Sequence, residues 1–367
     1  MMTIGKDVSA LFPHVVKCME TSSIELKKLV YLYIINYAKS KPDLTLMAIN
    51  TFGKDAHEKR NPLIRALAVR TMGCIRIEKI TEHLCESLKD CLIDDDPYVK
   101  KTAAISVAKI YQTSPQYTKD YGFIKLLQNL LQDGNAIVVA NAVASLIEIS
   151  KSAGKNYIKL DKDTLGKLLT ALNETNEWGQ VYILECVHKY KPKSQKEAEE
   201  IIDRIIPRLV HNNPAVVLGG VKNVLKFLNF IKNEDQVKTI SRKLAAPLLT
   251  LLSAEPEIQY VALRNISFIL QKYPSIFDKN IKVFVRYNDP PYVKMEKLDI
   301  LVKVADNANI DLIISELKEY CNDLDPDFVR KSVRAIGIVA VKVERCAKRA
   351  VEILQDLVKQ EGADTAL

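Results

Sequence analysis

Apolar residues recur at helical spacing along this chain, in segments of similar length that repeat. Asp94–Ile110 is the clearest. Asp95 or Asp96 can cap the free N–H groups of a helix start, where a carboxylate also suits the positive end of the helix dipole. Pro97 fits the first helical position, which needs no N–H. Val99, Ala103, Val107 and Ile110 then share one face, and small Ala103 and Ala104 admit a neighbouring helix closely.

The same template opens at Pro62, Ala136, Glu177, Pro214, Pro256, Pro291 and Pro326, with a weaker first copy at Ile24. The anchors are evenly spread, and their spacing is near the period of HEAT and armadillo repeats. Second amphipathic segments fall between them: Thr81–Leu92, Phe123–Leu131, Leu165–Leu172, Ile201–Val210, Leu244–Leu252 and Ile310–Cys321. No segment reads as a strand. A helix pair cannot bury both apolar faces alone, and stacking on its neighbours does so. The pattern predicts an all-α, HEAT/armadillo-like right-handed α-solenoid of about nine helix pairs over residues 1–359, with a polar tail at 360–367. Ala350–Lys359 reads as the first helix of a further pair, so a fragment or a short form is expected.

Composition fits order throughout: 48% of the 367 residues are hydrophobic, with 12 Gly and one Trp. No apolar run reads as long enough for a bilayer. MMTIGKDVSALF lacks the basic and apolar regions of a signal peptide, so a cytosolic or cytosol-facing chain is expected. The seven Cys are an odd number, mostly within apolar patterns, and read as buried free thiols. His83, Cys85 and Cys91 could suggest a metal, but Leu84, Leu88 and Cys91 form a core stripe, and packing is the preferred reading. The net charge of +8 is concentrated in the first two thirds of the chain. It could favour an anionic membrane or nucleic acid, and solubility explains it as well.

Candidate chemistry is sparse. GxxxxGK[ST], HExxH, GxSxG and GxGxxG are absent, and the five His stand far apart. Neither an enzyme nor a cofactor is expected. Gly219–Gly220 lies in a helical pattern, where close helix packing explains it better than phosphate binding. The basic stretch HKYKPKSQK, 188–196, holds one aromatic, Tyr190, which does not make a base-stacking platform. A solvated loop is the plain reading, with weak contact to acidic headgroups as the functional one.

One helix carries more apolar residues than a core face needs. On a helical wheel Leu44, Met47, Ala48 and Phe52 gather on one side, a predicted core face. Leu46 and Ile49 point largely elsewhere, with Ile49 near the edge of that face. A neighbouring segment could cover them, or they could form an exposed patch for a partner protein.

The stretches GKDVSALFP, IELKKLVYLYIINYAKS, NPLIRALAVRTMGCIR, DPYVKKTAA, VVANAVASLIEIS, LLTALNETNEWGQVYIL, EPEIQYVALRNI, YVKMEKLDIL and DFVRKSVRAIG carry a resemblance across nearly the whole chain. The chain resembles the N-terminal trunk of the β-adaptins, the large β subunits of heterotetrameric clathrin adaptor complexes. The resemblance implies a non-enzymatic scaffold in vesicle-mediated protein transport. Its partners would be a second large, a medium and a small adaptor subunit, with peripheral association at Golgi/endosomal membranes or plasma-membrane coated pits. Clathrin contact would come through hinge and ear regions beyond the trunk. The resemblance also implies a docking site for an Arf-type GTPase in its GTP form, and the matching positions are Leu46 and Ile49. Lys27, Lys28, Lys39 and Lys41 are candidates for lipid headgroups. Two departures stand out: Lys59–Arg60 add positive charge where relatives tend to be more acidic, and Pro290–Pro291 doubles a proline, which predicts a displaced helix start. A karyopherin-like or coatomer-like helical-repeat scaffold is the alternative.

Overall fold

A computed structural model of the chain describes residues 2–272 and 283–364. Among the described residues every regular element is a helix, the all-α repeat fold that the pattern predicts. All nine anchors are the first residue of a helix: Ile24–Tyr37, Pro62–Cys74, Pro97–Thr113, Ala136–Ala153, Glu177–Val187, Pro214–Leu228, Pro256–Lys272, Pro291–Val304 and Pro326–Lys342. The cause is local. Ser23, Asn61, Asp96, Asn135, Asn176, Asn213 and Asp325 each stand just before an anchor, and each side chain accepts a backbone N–H from its own first turn. Asp96 does so from Tyr98 N at 2.8 Å.

The doubled proline behaves differently from expectation. The helix starts at Pro291, at the anchor, and is not displaced. Pro290 occupies the cap position and makes no side-chain cap bond. The second helices also start earlier than their apolar residues suggest, as at Glu78–Leu92, Lys162–Glu174, Gln195–Ile205 and Glu234–Leu251. Their first turns are mostly polar, and in the last three the caps Asp161, Ser194 and Asn233 set the start. Pro207, which has no N–H to donate, lies where Gln195–Ile205 gives way to the 3-10 turn Ile206–Val210. A short extra helix, Pro115–Asp120, precedes Phe123–Leu130, and Gly122 joins them at φ +67°, a left-handed conformation suited to glycine. The last helix, Ala347–Asp364, extends beyond the predicted Ala350–Lys359.

The fold divides into two compact units, Met1–Lys191 and Pro192–Leu367. In the first, the template helices from Ile24, Pro62, Pro97, Ala136 and Glu177 pack each against the next, with the second helices as another layer. In the second, the helices from Pro256, Pro291 and Pro326 do the same. Val99, Ala103, Ala104 and Val107 are fully buried. A Cβ at Gly73 would lie 2.7 Å from the Ser106 side chain, so these two helices touch through minimal side chains. Ser106 Oγ donates to Val69 O at 3.2 Å, and Ser145 Oγ to Ala104 O at 2.8 Å, at the same repeat position one helix on. Gly220 is buried against Leu209, as helix packing requires.

Helix Ala136–Ala153 corrects the sequence reading that no run is long enough for a bilayer. It is apolar and long enough to cross a membrane. It packs between the Pro97 and Glu177 helices instead, with Val138, Ala142, Val143, Leu146 and Ile149 buried.

Three repeats share a partly buried link that the sequence reading did not detect. The fourth residue of the template helix is a cation, and Asp stands shortly before the next template helix. Arg65 Nε and Nη2 donate to Asp94 at 2.7 and 2.9 Å. Lys100 Nζ reaches Asp133 at 2.5 Å, and Lys294 Nζ reaches Asp323 at 2.7 Å. Each Asp also accepts the backbone N–H of the next cap residue, Asp96, Asn135 or Asp325, at 2.8, 2.8 and 3.1 Å. One carboxylate thus joins a helix to the turn that starts the next. The Lys294 ammonium holds the Asp323 carboxyl below the usual carboxylate range, against the opposing effect of burial.

Candidate protein-docking site

Helix Pro42–Ala56 carries the exposed apolar residues. Its inner face is Thr45, Ala48 and Phe52, all fully buried, followed by Asp55 and Ala56. This corrects the predicted core face. Met47 is 67% exposed and Leu44 only half-buried. Thr45 takes the inner position because its hydroxyl donates to Lys41 O at 2.9 Å within the helix, so its burial leaves no polar group unpaired. Leu46, at 41% exposure, lies on the outer surface beside Met47, and Ile49 is half-buried at its edge.

A polar knot holds this helix to its neighbour. Lys27, on helix Ile24–Tyr37, donates to Met19 O at 2.7 Å and to Asp55 Oδ2 at 2.5 Å. The Tyr31 hydroxyl donates to the same carboxylate oxygen. Burial first, then this bond, raises the Tyr31 phenol above its ordinary value. The Tyr31 ring meets Phe52 edge-on, centroids 4.9 Å apart. With Asp55 pinned near the far end of the helix, the outward aspect of Leu46 and Met47 is fixed by the inner face.

Lys27 therefore leaves the set of headgroup candidates: it is 3% exposed, and its ammonium is already paired. A sequence window cannot see a partner that another helix supplies. Lys28, Lys39 and Lys41 are exposed. Lys39 and Lys41 border the turn before helix Pro42–Ala56, and Lys28 lies apart from them in a groove described below. At the far end of the same helix, His57 Nε2 lies 3.0 Å from Asp90 Oδ2. The Asp90 bond, then the Gly53 carbonyl, raise the His57 pKa.

The other sequence candidates stay apart from this surface. Cys85 and Cys91 are buried, and burial pushes both thiols up to about 12. Cys91 is buried, as are Leu84 and Leu88 of the same stripe. Five of the seven free cysteines are buried, while Cys18 is exposed and Cys74 half-buried. Tyr190 is buried at 5% exposure, so its ring offers no stacking surface. Among the described residues no group of three or more His, Cys, Asp or Glu could hold a metal ion.

Stacked helix pairs with solvent-facing apolar residues define a helical-repeat scaffold. The family described as Adaptin N terminal region matches residues 1–366, and the chain belongs to it. It is 58% identical over 361 residues to the mouse "AP-1 complex subunit beta-1", covering 98% of this chain and 38% of that protein. It is 54% identical over 359 residues to the Dictyostelium discoideum "AP-1 complex subunit beta", covering 98% of this chain and 38% of that relative. With the Schizosaccharomyces pombe "AP-2 complex subunit beta" it shares 39% over 358 residues, 97% of this chain and 53% of the relative. The chain thus spans well under two thirds of these relatives. A chain of a structure described as "Homology model of the full-length AP-3 complex in an intermediate open conformation" superposes with a TM-score of 0.70 at 17% identity, over 98% of this chain and 66% of that one. That likeness shows the fold, an all-α solenoid. The family decides for an adaptin over the karyopherin-like and coatomer-like alternatives.

Proposed function

We propose that this chain is a non-enzymatic scaffold of a clathrin adaptor coat, and that it docks an Arf-type GTPase in its GTP form through Leu46 and Ile49. Membership of the adaptin family supports the scaffold role, with a second large, a medium and a small subunit as partners. The similarity to β subunits of AP-1 complexes favours the cytosolic face of Golgi/endosomal membranes. The observation that carries the GTPase contact is the exposed Leu46, with Met47 beside it and Ile49 at its edge, on a helix locked from behind by Asp55. Covering the exposed parts of these side chains is worth about 2 kcal/mol, roughly 30-fold in affinity. Lys39 and Lys41 supply a weak contact to acidic headgroups near the same helix.

The test is a pull-down of the chain with a GTP-locked and a GDP-locked Arf-type GTPase, wild type beside Leu46→Asp with Ile49→Asp. Binding only to the GTP form, lost in the double variant while circular dichroism stays helical, is the expected result. Equal binding by wild type and variant, or none in either nucleotide state, overturns the contact and leaves the scaffold.

A further inference from the structure

The template helices of the first unit build a second surface. A groove of about 460 Å³ crosses the Ile24, Pro62 and Pro97 helices and reaches Asn141 on the Ala136 helix. Its size falls within the ~300–1,000 Å³ of ligand clefts. The apolar lining comes from Leu63 and Tyr98, 51% and 45% exposed, with Leu67 and Ile105 half-buried. Lys28, Arg70, Lys101 and Lys109 supply positive charge from three successive helices. Among the described residues that line the groove, none is acidic. Lys101 Nζ sits 4.4 Å above the centre of the Tyr98 ring, which brings charge and apolar surface to one point.

The dimensions narrow the occupant. Four helices at ~8–10 Å spacing span ~25–30 Å, about eight residues of extended chain at ~3.3 Å each. A phosphate or a single headgroup would fill one end only, and a flat lipid surface would meet the rim and not the recessed Leu67 and Ile105. We infer that this groove binds an acidic linear peptide carrying one large apolar side chain, its carboxylates distributed over Lys28, Arg70, Lys101 and Lys109 and its apolar residue set against Leu63 and Tyr98. Leu46 and Ile49 are not among the groove residues, so this binding stands independently of the GTPase contact.

Fluorescence anisotropy on the full chain tests it. The probe is a fluorescein-labelled dodecapeptide of Glu and Ser with a central Phe. The comparison peptides replace every Glu by Gln, or the Phe by Ser. The acidic peptide is expected to bind at least about tenfold more tightly than the Gln peptide, with the difference shrinking as salt rises. Arg70→Glu with Lys101→Glu should weaken binding about tenfold or more. Lys28→Glu, an exposed change on another helix, should give a smaller loss in the same direction if the double variant fails to fold. Equal binding of acidic and neutral peptides, or wild-type affinity in both folded variants, overturns the inference. Co-sedimentation with phosphatidylserine vesicles that depends on Arg70 and Lys101, in a protein that ignores the peptide, also overturns it and assigns the groove to a membrane.

Discussion

Linked and unlinked repeats of this chain solve the same packing problem in two ways. In the repeats that start at Pro62, Pro97 and Pro291, the fourth helical residue is Arg65, Lys100 or Lys294, and Asp94, Asp133 or Asp323 waits just before the next template helix. In those that start at Ala136 and Pro214, the fourth residue is Val139 or Val217, both buried, and the waiting position holds Glu174 or Ser253. Cation and aspartate come and go together. The position accepts a charge only where a fixed carboxylate meets it. Otherwise it holds an aliphatic residue, as here, or a buried amide, as at Gln180 and Gln259, whose Nε2 groups donate to Thr175 O and Ala254 O. The Ile24 repeat is a variant. Its fourth residue is Lys27, but Lys59 stands at the waiting position, and the carboxylate comes from Asp55 instead. That substitution ties helix Pro42–Ala56, with its exposed Leu46, into the stack.

The comparison can be broken at its most buried member. Asp55→Ala strands the Lys27 ammonium and should cost ~3–5 kcal/mol, read as a fall in the urea midpoint. Lys27→Met with Asp55→Leu should recover most of the loss, because it removes both charges at once. Val139→Lys carries the linked residue into an unlinked repeat without its aspartate. A loss of about 3 kcal/mol is expected, with faster amide exchange in the Ala136 helix. Pro290→Asn restores the cap that the other Pro-led starts of the linked repeats possess. It should stabilise the Pro291 helix by about 1 kcal/mol, seen as a rise in thermal midpoint.

The smallest effect belongs to the exposed His57–Asp90 pair. Its partners raise the His57 pKa, so its contribution is complete below the unfolded value near ~6.5 and is lost as pH rises through the higher folded value. Both side chains are about half exposed, which holds the effect under ~1 kcal/mol. Comparing wild type with His57→Gln should show a gap in stability at pH 5 that closes as pH rises through the folded His57 value.

The template helices were legible because most starts carry their own chemistry: a cap side chain, often Pro, then apolar residues at helical spacing. Helix Pro42–Ala56 was only half legible. Hydropathy alone placed Met47 inward, yet the inner face is turned toward Thr45, whose hydroxyl is satisfied within the helix. The outward aspect of Leu46 survived that error, since the true inner face also lies away from it. Lys27 read as a surface lysine because its partner is supplied by another helix. The links left a signal that aligning on the anchors would have exposed: a cation one turn after one anchor, and Asp shortly before the next. The groove was not legible, because it gathers residues from four helices that only the stack brings together.

A double-mutant cycle on Lys100 and Asp133 tests most directly whether cation and aspartate act as one part. Lys100→Met, Asp133→Leu and the pair would be compared by native-state hydrogen exchange in the Pro97 and Ala136 helices. A coupling of at least ~1.5 kcal/mol, with the pair less damaged than Asp133→Leu alone, is the expected result. Strictly additive losses, within ~0.3 kcal/mol, would contradict the account and reduce the link to two independent side chains.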